Sequence, residues 1–220
     1  MADADIFVSV GSTANDKQEA FVRAVEDRLR SEGLIPHTVG RNTFSSEAPI
    51  RAVENLMDQC AGAVVIALER SYFEVGLEKR GGEKETPLND IKLPTPWNHI
   101  EAAMSYTRGL PILVLVEDGL KSEGLLEHGY DWYVQTVALD VASLNSMEFN
   151  GVLSSWQKKV IQNRAEKNVP PKPDVSSDPA QQTIAQLAGS LKPSQLWGFL
   201  GALAATIAGA FVLGGKLIGS

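Results

Sequence analysis

The sequence predicts an α/β fold: a flavodoxin-like, doubly wound parallel sheet of five strands, with a C-terminal single transmembrane helix beyond it. Three observations carry that expectation. Short apolar runs too hydrophobic to face water recur along the front of the chain, amphipathic helical segments separate them, and one long uncharged run lies near the end. Strand and helix in alternation require crossover connections, and crossovers place parallel strands side by side with helices on both faces.

The elements follow in order. Residues 5–10 read as a first strand entering a Gly-Ser-Thr turn, after which Phe21, Val25 and Leu29 recur at four-residue spacing on an amphipathic helix closed by Gly33. Residues 34–39 form the second strand. Ile50, Val53, Met57 and Cys60 mark the second helix, and residues 61–68 are apolar on both faces, as a central parallel strand must be. A third helix begins at Thr95 and Pro96, an N-cap residue and a residue suited to the first helical position. It leads through Gly109 and Pro111 into the strand at 110–116. A Gly-rich aromatic loop, a weak strand near 134–139 and a helix with Val152, Trp156 and Val160 on one face complete a domain of residues 1–165.

Two segments break the alternation. The charged stretch at about 73–96 contains Gly81, Gly82, Pro87 and Pro94, is too long for a strand-to-helix connection, and reads as a flap or an ordered insertion. Residues 166–192 carry Pro170, Pro171 and Pro173 and read as a linker. No repeat at a solenoid period is present.

Residues 193–218 hold the uncharged run LWGFLGALAATIAGAFVLGG, bounded by Lys192 and Lys216. At about 1.5 Å per residue, roughly twenty such residues cross about 30 Å of hydrocarbon, and Trp197 falls where an interfacial aromatic belongs. Gly201, Ala205 and Gly209 repeat at four-residue spacing, as in seams that let helices approach closely. The N-terminus lacks a basic region before its apolar run, so no secretory signal is expected. The expectation is a single-pass, tail-anchored protein of the cell membrane with its globular domain in the cytoplasm.

Composition excludes several classes. A net charge of −7 with a pI near 5.0 disfavours a groove that tracks phosphates, so nucleic acid is not an expected partner. Cys60 is the sole cysteine, which rules out an internal disulfide. His37, His99 and His128 stand in separate segments without zinc spacing, and no metal is implied. Neither a Gly-x-Ser-x-Gly nucleophile turn nor a phosphate loop ending in Lys-Ser/Thr occurs. The aromatic cluster from Tyr130 to Tyr133 reads as packing over the sheet edge.

One acid stands out. Glu101 lies on the second turn of the third helix, with Trp97, Asn98, Met104 and Ser105 as its three- and four-residue neighbours. Helix starts and carboxyl ends of strands border the ligand crevice of such sheets, so this acid is either a reactive group or a partly exposed helix glutamate. Ser9, Gly11 and Ser12 end the first strand, where amides and hydroxyls suit ribose or phosphate but also suit an ordinary turn. Arg41 is a candidate for a pyrophosphate or a solvated loop arginine, and Trp97 for base stacking or packing.

These residues resemble the Toll/interleukin-1 receptor (TIR) family. Asp5-Ile6-Phe7-Val8-Ser9 is similar to the family's opening strand box, and Gly40-Arg41-Asn42 lies where its second box falls, without the usual proline-glycine pair. AVVIALERSYF, with Ser71 and Tyr72, resembles the next strand and its serine-and-tyrosine segment, and Trp97 with Glu101 matches a Trp-x-x-x-Glu pattern. The related nucleoside deoxyribosyltransferases share the Glu and Gly-x-Pro arrangement of Glu101, Gly109 and Pro111, but usually carry an acid where this chain has Thr95. The resemblance implies NAD cleavage at the nicotinamide–ribose bond with Glu101 as catalytic residue. It also implies Ser9, Gly11, Ser12, Arg41, Tyr72 and Trp97 around the substrate, and NAD as substrate with no cofactor. It further implies an assembly-activated bacterial immune effector acting against phage, a homo-oligomer through both the TIR-like domain and the transmembrane helix. Two alternatives stand beside it: a membrane effector that senses a nucleotide ligand and disrupts the membrane on oligomerisation, and a non-catalytic TIR-like scaffold.

Overall fold

The computed structural model describes residues 3–129 and 131–167. The expected linker beyond residue 167, the expected membrane span at 193–218 and Tyr130 lie outside them. Among the described residues no helix is long and apolar enough to cross a membrane.

Five strands, β1 (Ala4–Val10), β2 (Leu34–His37), β3 (Gly62–Ala67), β6 (Ile112–Glu117) and β7 (Tyr133–Val137), form one sheet in the order β2-β1-β3-β6-β7. Every neighbouring pair is parallel. Taken in chain order, those five strands have the flavodoxin-like sequence of neighbours, and the direction of winding reverses between β1 and β3.

Helices α1 (Asp16–Ser31), α2 (Pro49–Gln59) and α3 (Pro96–Thr107) lie in the first three crossovers, the β6-to-β7 crossover holds only a 3-10 turn at Gly124–Leu126, and α4 (Met147–Lys167) follows the last strand; the four helices cover the faces. Alternate strand residues therefore divide between two cores. Ile6, Val8, Val64, Ile66, Leu113 and Leu115 pack with Phe21 and Leu29 of α1 and with Leu153 and Trp156 of α4. Phe7, Val65, Val114 and Val116 pack with Val53 and Met57 of α2 and with Ala102 of α3. Both faces being dry explains why β3 is buried along its whole length.

Local chemistry sets the helix ends. Asn15 caps α1 by accepting from the Gln18 amide at 3.0 Å, and Thr95 caps α3 by accepting from the Trp97 amide at 3.4 Å. At the far end of α3, Gly109 takes φ 66° while the Leu110 amide returns to the Ser105 carbonyl, which ends the helix and turns the chain into β6. Gly62 is needed for a different reason. A Cβ there would lie 2.7 Å from Val160 Cγ2 and 3.2 Å from Trp156, because α4 crosses directly over the start of β3.

The charged stretch is neither strand-to-helix loop nor flap alone. It folds as an antiparallel hairpin of β4 (Ser71–Glu78) and β5 (Thr86–Leu93), separate from the main sheet, with Tyr72 opposite Lys92 and Val75 opposite Asn89. The insertion thus begins two residues before 73 and takes Tyr72 into its first strand. Phe73, Val75 and Leu77 alternate at period two with Glu74, Gly76 and Glu78, so the ribbon has one apolar and one charged face, and the apolar side chains stand exposed because this two-stranded ribbon has no core to cover.

Candidate active site

A cavity of about 280 Å³ opens at the carboxyl ends of β1 and β3, at the point where the winding reverses. Each wall comes from a different element. Val10, Gly11 and Ser12 continue β1, Arg70 follows β3, Val39 follows β2, Pro49 and Val53 belong to α2, and Thr95, Trp97 and Glu101 come from the start of α3. Of the residues picked out in the sequence, Gly11, Ser12, Trp97 and Glu101 meet here.

Glu101 is partly buried, and burial raises its pKa from 4.5 to about 7, against a weaker opposing influence of hydrogen bonding from Ser9. Its charged and neutral forms are therefore both populated near neutral pH. Ser9 is buried at the end of β1, under the cavity floor. The buried amide of Asn98 fixes it: Asn98 Nδ2 donates to Ser9 Oγ at 3.1 Å and to the Ile66 carbonyl at 3.3 Å. One side chain of α3 thereby ties together the ends of β1 and β3 while the next turn of the same helix presents Glu101.

Gly11 has a packing role. A Cβ there would approach Thr95 Cγ2 to 3.0 Å, so a larger residue would push the helix-capping Thr95 side chain aside by a few tenths of an ångström. Trp97 lines the cavity and is 41% exposed, so part of its indole is open to a ligand.

Two expected site residues lie elsewhere. Arg41 makes a two-pronged ion pair with Glu19 at 2.9 Å and a further one with Glu26 at 2.8 Å, beside a separate surface depression. Its guanidinium holds the Glu19 carboxyl down at about 2, with help from Arg23. Tyr72 stands exposed on the hairpin, donating to Asp90 Oδ1 at 2.6 Å. Neither lines the Glu101 cavity. A basic residue in a loop carries no sign of which carboxylates will fold against it, and the hairpin carried Tyr72 away.

Arg70 and Asn98 were the residues that sequence reasoning passed over. Asn98 was visible only as a helical neighbour of Glu101, since its buried partners lie 89 and 32 residues away. Arg70 carried a usable signal: it follows the most apolar strand directly, at the carboxyl end where ligands sit. Among the described residues no three His, Cys, Asp or Glu side chains gather to hold a metal ion, and His37 instead pairs with Asp5 at 2.8 Å.

No protein-family model matches the chain, and no curated protein matches it in sequence. Among solved structures it is similar to the CMP N-glycosidase BcmB of Clostridium botulinum, at 10% identity and a TM-score of 0.37, over 72% of this chain and 98% of that one. It is also similar to the TIR domains of the activated Roq1 resistosome that recognises the pathogen effector XopQ, at 13% identity and a TM-score of 0.34, over 74% and 84%. A conserved protein from Enterococcus faecalis gives 10% identity and a TM-score of 0.34, over 75% and 99%. At such scores the likenesses carry no weight for chemistry, and the α/β fold with its five-stranded parallel sheet rests on the chain's own strand order.

Proposed function

We propose that the domain is an N-glycosyl hydrolase that cleaves the nicotinamide–ribose bond of NAD, with Glu101 as the catalytic residue. The observation that carries this reading is a partly buried carboxyl with a pKa of about 7, in a cavity at the β1/β3 switch point, beside a hydroxyl that Asn98 holds in place. The TIR resemblance of the Trp97 and Glu101 pattern supports the choice of substrate. A cavity of about 280 Å³ is at the small end for a ligand site and suits a ribosyl group with its base; the rest of a dinucleotide would extend through the open side.

The chemistry follows from charge. As the C1′–N bond breaks, its electron pair goes to the pyridinium ring, so nicotinamide departs neutral and the ribosyl carbon becomes oxocarbenium-like. A carboxylate nearby stabilises that cation, and water adds at C1′ with its proton passing to Glu101 or solvent. No proton is needed by the leaving group. The ionised form of Glu101 is the active one, and a cationic ring bound beside it opposes the rise that burial causes and favours that form.

The regulatory setting is proposed from the sequence. The run at 193–218 would anchor the domain in a membrane, and confinement there would raise the effective concentration for self-assembly. An immune effector role against phage belongs to the TIR resemblance.

The test is turnover of a fluorogenic NAD analogue by the full chain in membranes. Glu101→Gln keeps the side-chain shape and should lower kcat/KM by about two orders of magnitude or more. Equal turnover by parent and variant would remove Glu101 from the mechanism. Tight nucleotide binding with no cleavage by the parent would make the domain a nucleotide sensor, and neither binding nor cleavage would make it a scaffold.

A further inference from the structure

We propose that Arg70, with Ser12, forms an anion subsite that receives a phosphate of the substrate, so that the cavity selects phosphorylated nucleosides over free ones. This rests on the glycohydrolase reading for its kinetic arm and deepens it.

Among the described residues Arg70 is the one cation that lines the Glu101 cavity. Its charge is unmatched. Arg41 is paired with Glu19 and Glu26, Lys92 with Glu69, and Arg108 with Asp58, yet no carboxylate lies within ion-pairing distance of Arg70 among the described residues. Its side chain bonds a neutral group: Arg70 Nη1 donates to Ser12 Oγ. The other guanidinium N–H groups remain for a ligand, and the Ser12 hydroxyl, already accepting from Arg70, has its own proton to donate. A planar fork beside a hydroxyl suits the oxygens of a phosphate.

The peptide that carries this exposed side chain is anchored on several sides. The Glu69 amide donates to Glu117 Oε2 at 2.7 Å, and the Glu69 carbonyl accepts from Gln18 Nε2 at 3.0 Å. The Arg70 amide donates to the Leu93 carbonyl at 2.9 Å, while the Glu69 carboxylate pairs with Lys92 at 2.9 Å. Hairpin strand β5, β6 and α1 thus clamp the two residues that leave β3. The hairpin departs just after Arg70 and returns just before Thr95, so both of its roots border the cavity. A guanidinium on a fixed peptide loses less freedom when an anion binds.

Charge is placed asymmetrically as a result. A cation stands after β3 and an ionisable acid on α3, with Trp97 at the rim. A nucleotide matches this polarity, presenting phosphate to Arg70 and its glycosidic carbon to Glu101. A free nucleoside leaves Arg70 unused.

Two measurements on the full chain test the subsite. In the first, NAD is compared with nicotinamide riboside, which has the same scissile bond and no phosphate. Arg70→Ala should raise KM for NAD by about tenfold or more with kcat within about twofold, and change kcat/KM for nicotinamide riboside by a clearly smaller factor; Arg70→Lys should recover part of the NAD loss. Equal losses on both substrates, or no loss on NAD, would overturn the assignment. In the second, calorimetry follows AMP binding to Glu101→Gln with and without Arg70→Ala, and the added substitution should weaken AMP about tenfold or more. Unchanged affinity, or no AMP binding to Glu101→Gln itself, would overturn it. Because AMP binding needs no turnover, Arg70-dependent AMP binding in a protein that cleaves neither substrate would refute the glycohydrolase reading and leave the anion subsite standing.

Discussion

Asn98 Nδ2 sits 3.1 Å from Ser9 Oγ, joining the first turn of α3 to the end of β1. Both residues are buried, and the same amide reaches the Ile66 carbonyl of β3. The pair crosses the switch point of the sheet and lies beneath the cavity that Glu101 lines. It couples the position of a potential reacting acid to the most rigid part of the fold.

Ser9→Ala should shift the pH dependence of catalysis upward. For NAD cleavage through the ionised acid, kcat/KM should rise with pH around a midpoint of about 7 in the parent. Hydrogen bonding from Ser9 favours the carboxylate, so its loss raises the Glu101 pKa further. A pH–rate series on both proteins checks the direction. A profile that instead falls above pH 7 would indicate that the protonated acid works on a leaving base that needs a proton.

Glu101→Gln should stabilise the fold at alkaline pH relative to the parent. The folded pKa of about 7 exceeds the ordinary glutamate value of 4.5, so the native state binds more protons between those values and parent stability declines as pH rises through that window. The neutral amide avoids the desolvation of a charge, a gain on the order of 1 to 3 kcal/mol above pH 7 for a partly buried group. Thermal melts at pH 5 and pH 8 should show a difference between variant and parent that moves in the variant's favour at the higher pH. A pH-independent difference would contradict the buried, proton-binding state of Glu101.

Gly62→Ala should destabilise the domain by about 1–3 kcal/mol. The added methyl meets Val160 Cγ2 at 2.7 Å, and the indole of Trp156, which donates to the Pro111 carbonyl at 3.0 Å, leaves little room for α4 to shift. Val160→Ala should recover part of the loss in the double variant, and a double-mutant cycle by denaturant melts measures the coupling. Additive effects would show that α4 does not press on β3.

Gly201→Leu combined with Gly209→Leu should weaken self-association in membranes without blocking insertion. The small-residue stripe with Ala205 is the observation behind this, since bulk on either side of it would hold helices apart. Crosslinking in membranes gives the answer: equal oligomer yield from variant and parent would exclude the stripe as the contact.

The order of strands and helices was legible because hydrophobic period is a local property. A run such as AGAVVIAL has no polar face in any register, and Thr95-Pro96 announces a helix start from two residues alone. The parallel sheet follows from alternation, and Glu101 stood out because an acid in an apolar helix is rare on its own terms. Tertiary structure decided what that acid faces. Burial raises its pKa, Asn98 orders Ser9 across 89 residues of chain, and Arg41 and Arg70 differ in where the fold puts them, Arg41 against Glu19 and Glu26 and Arg70 on the Glu101 cavity. Desolvation and charge pairing depend on distance in space and not on spacing along the chain. The hairpin shows the same division: Phe73, Val75 and Leu77 alternate with Glu74, Gly76 and Glu78 in the sequence, but the strand they pair with and the place of the ribbon beside β3 came only from the fold, through the β4–β5 register and the Arg70 amide bonded to the Leu93 carbonyl.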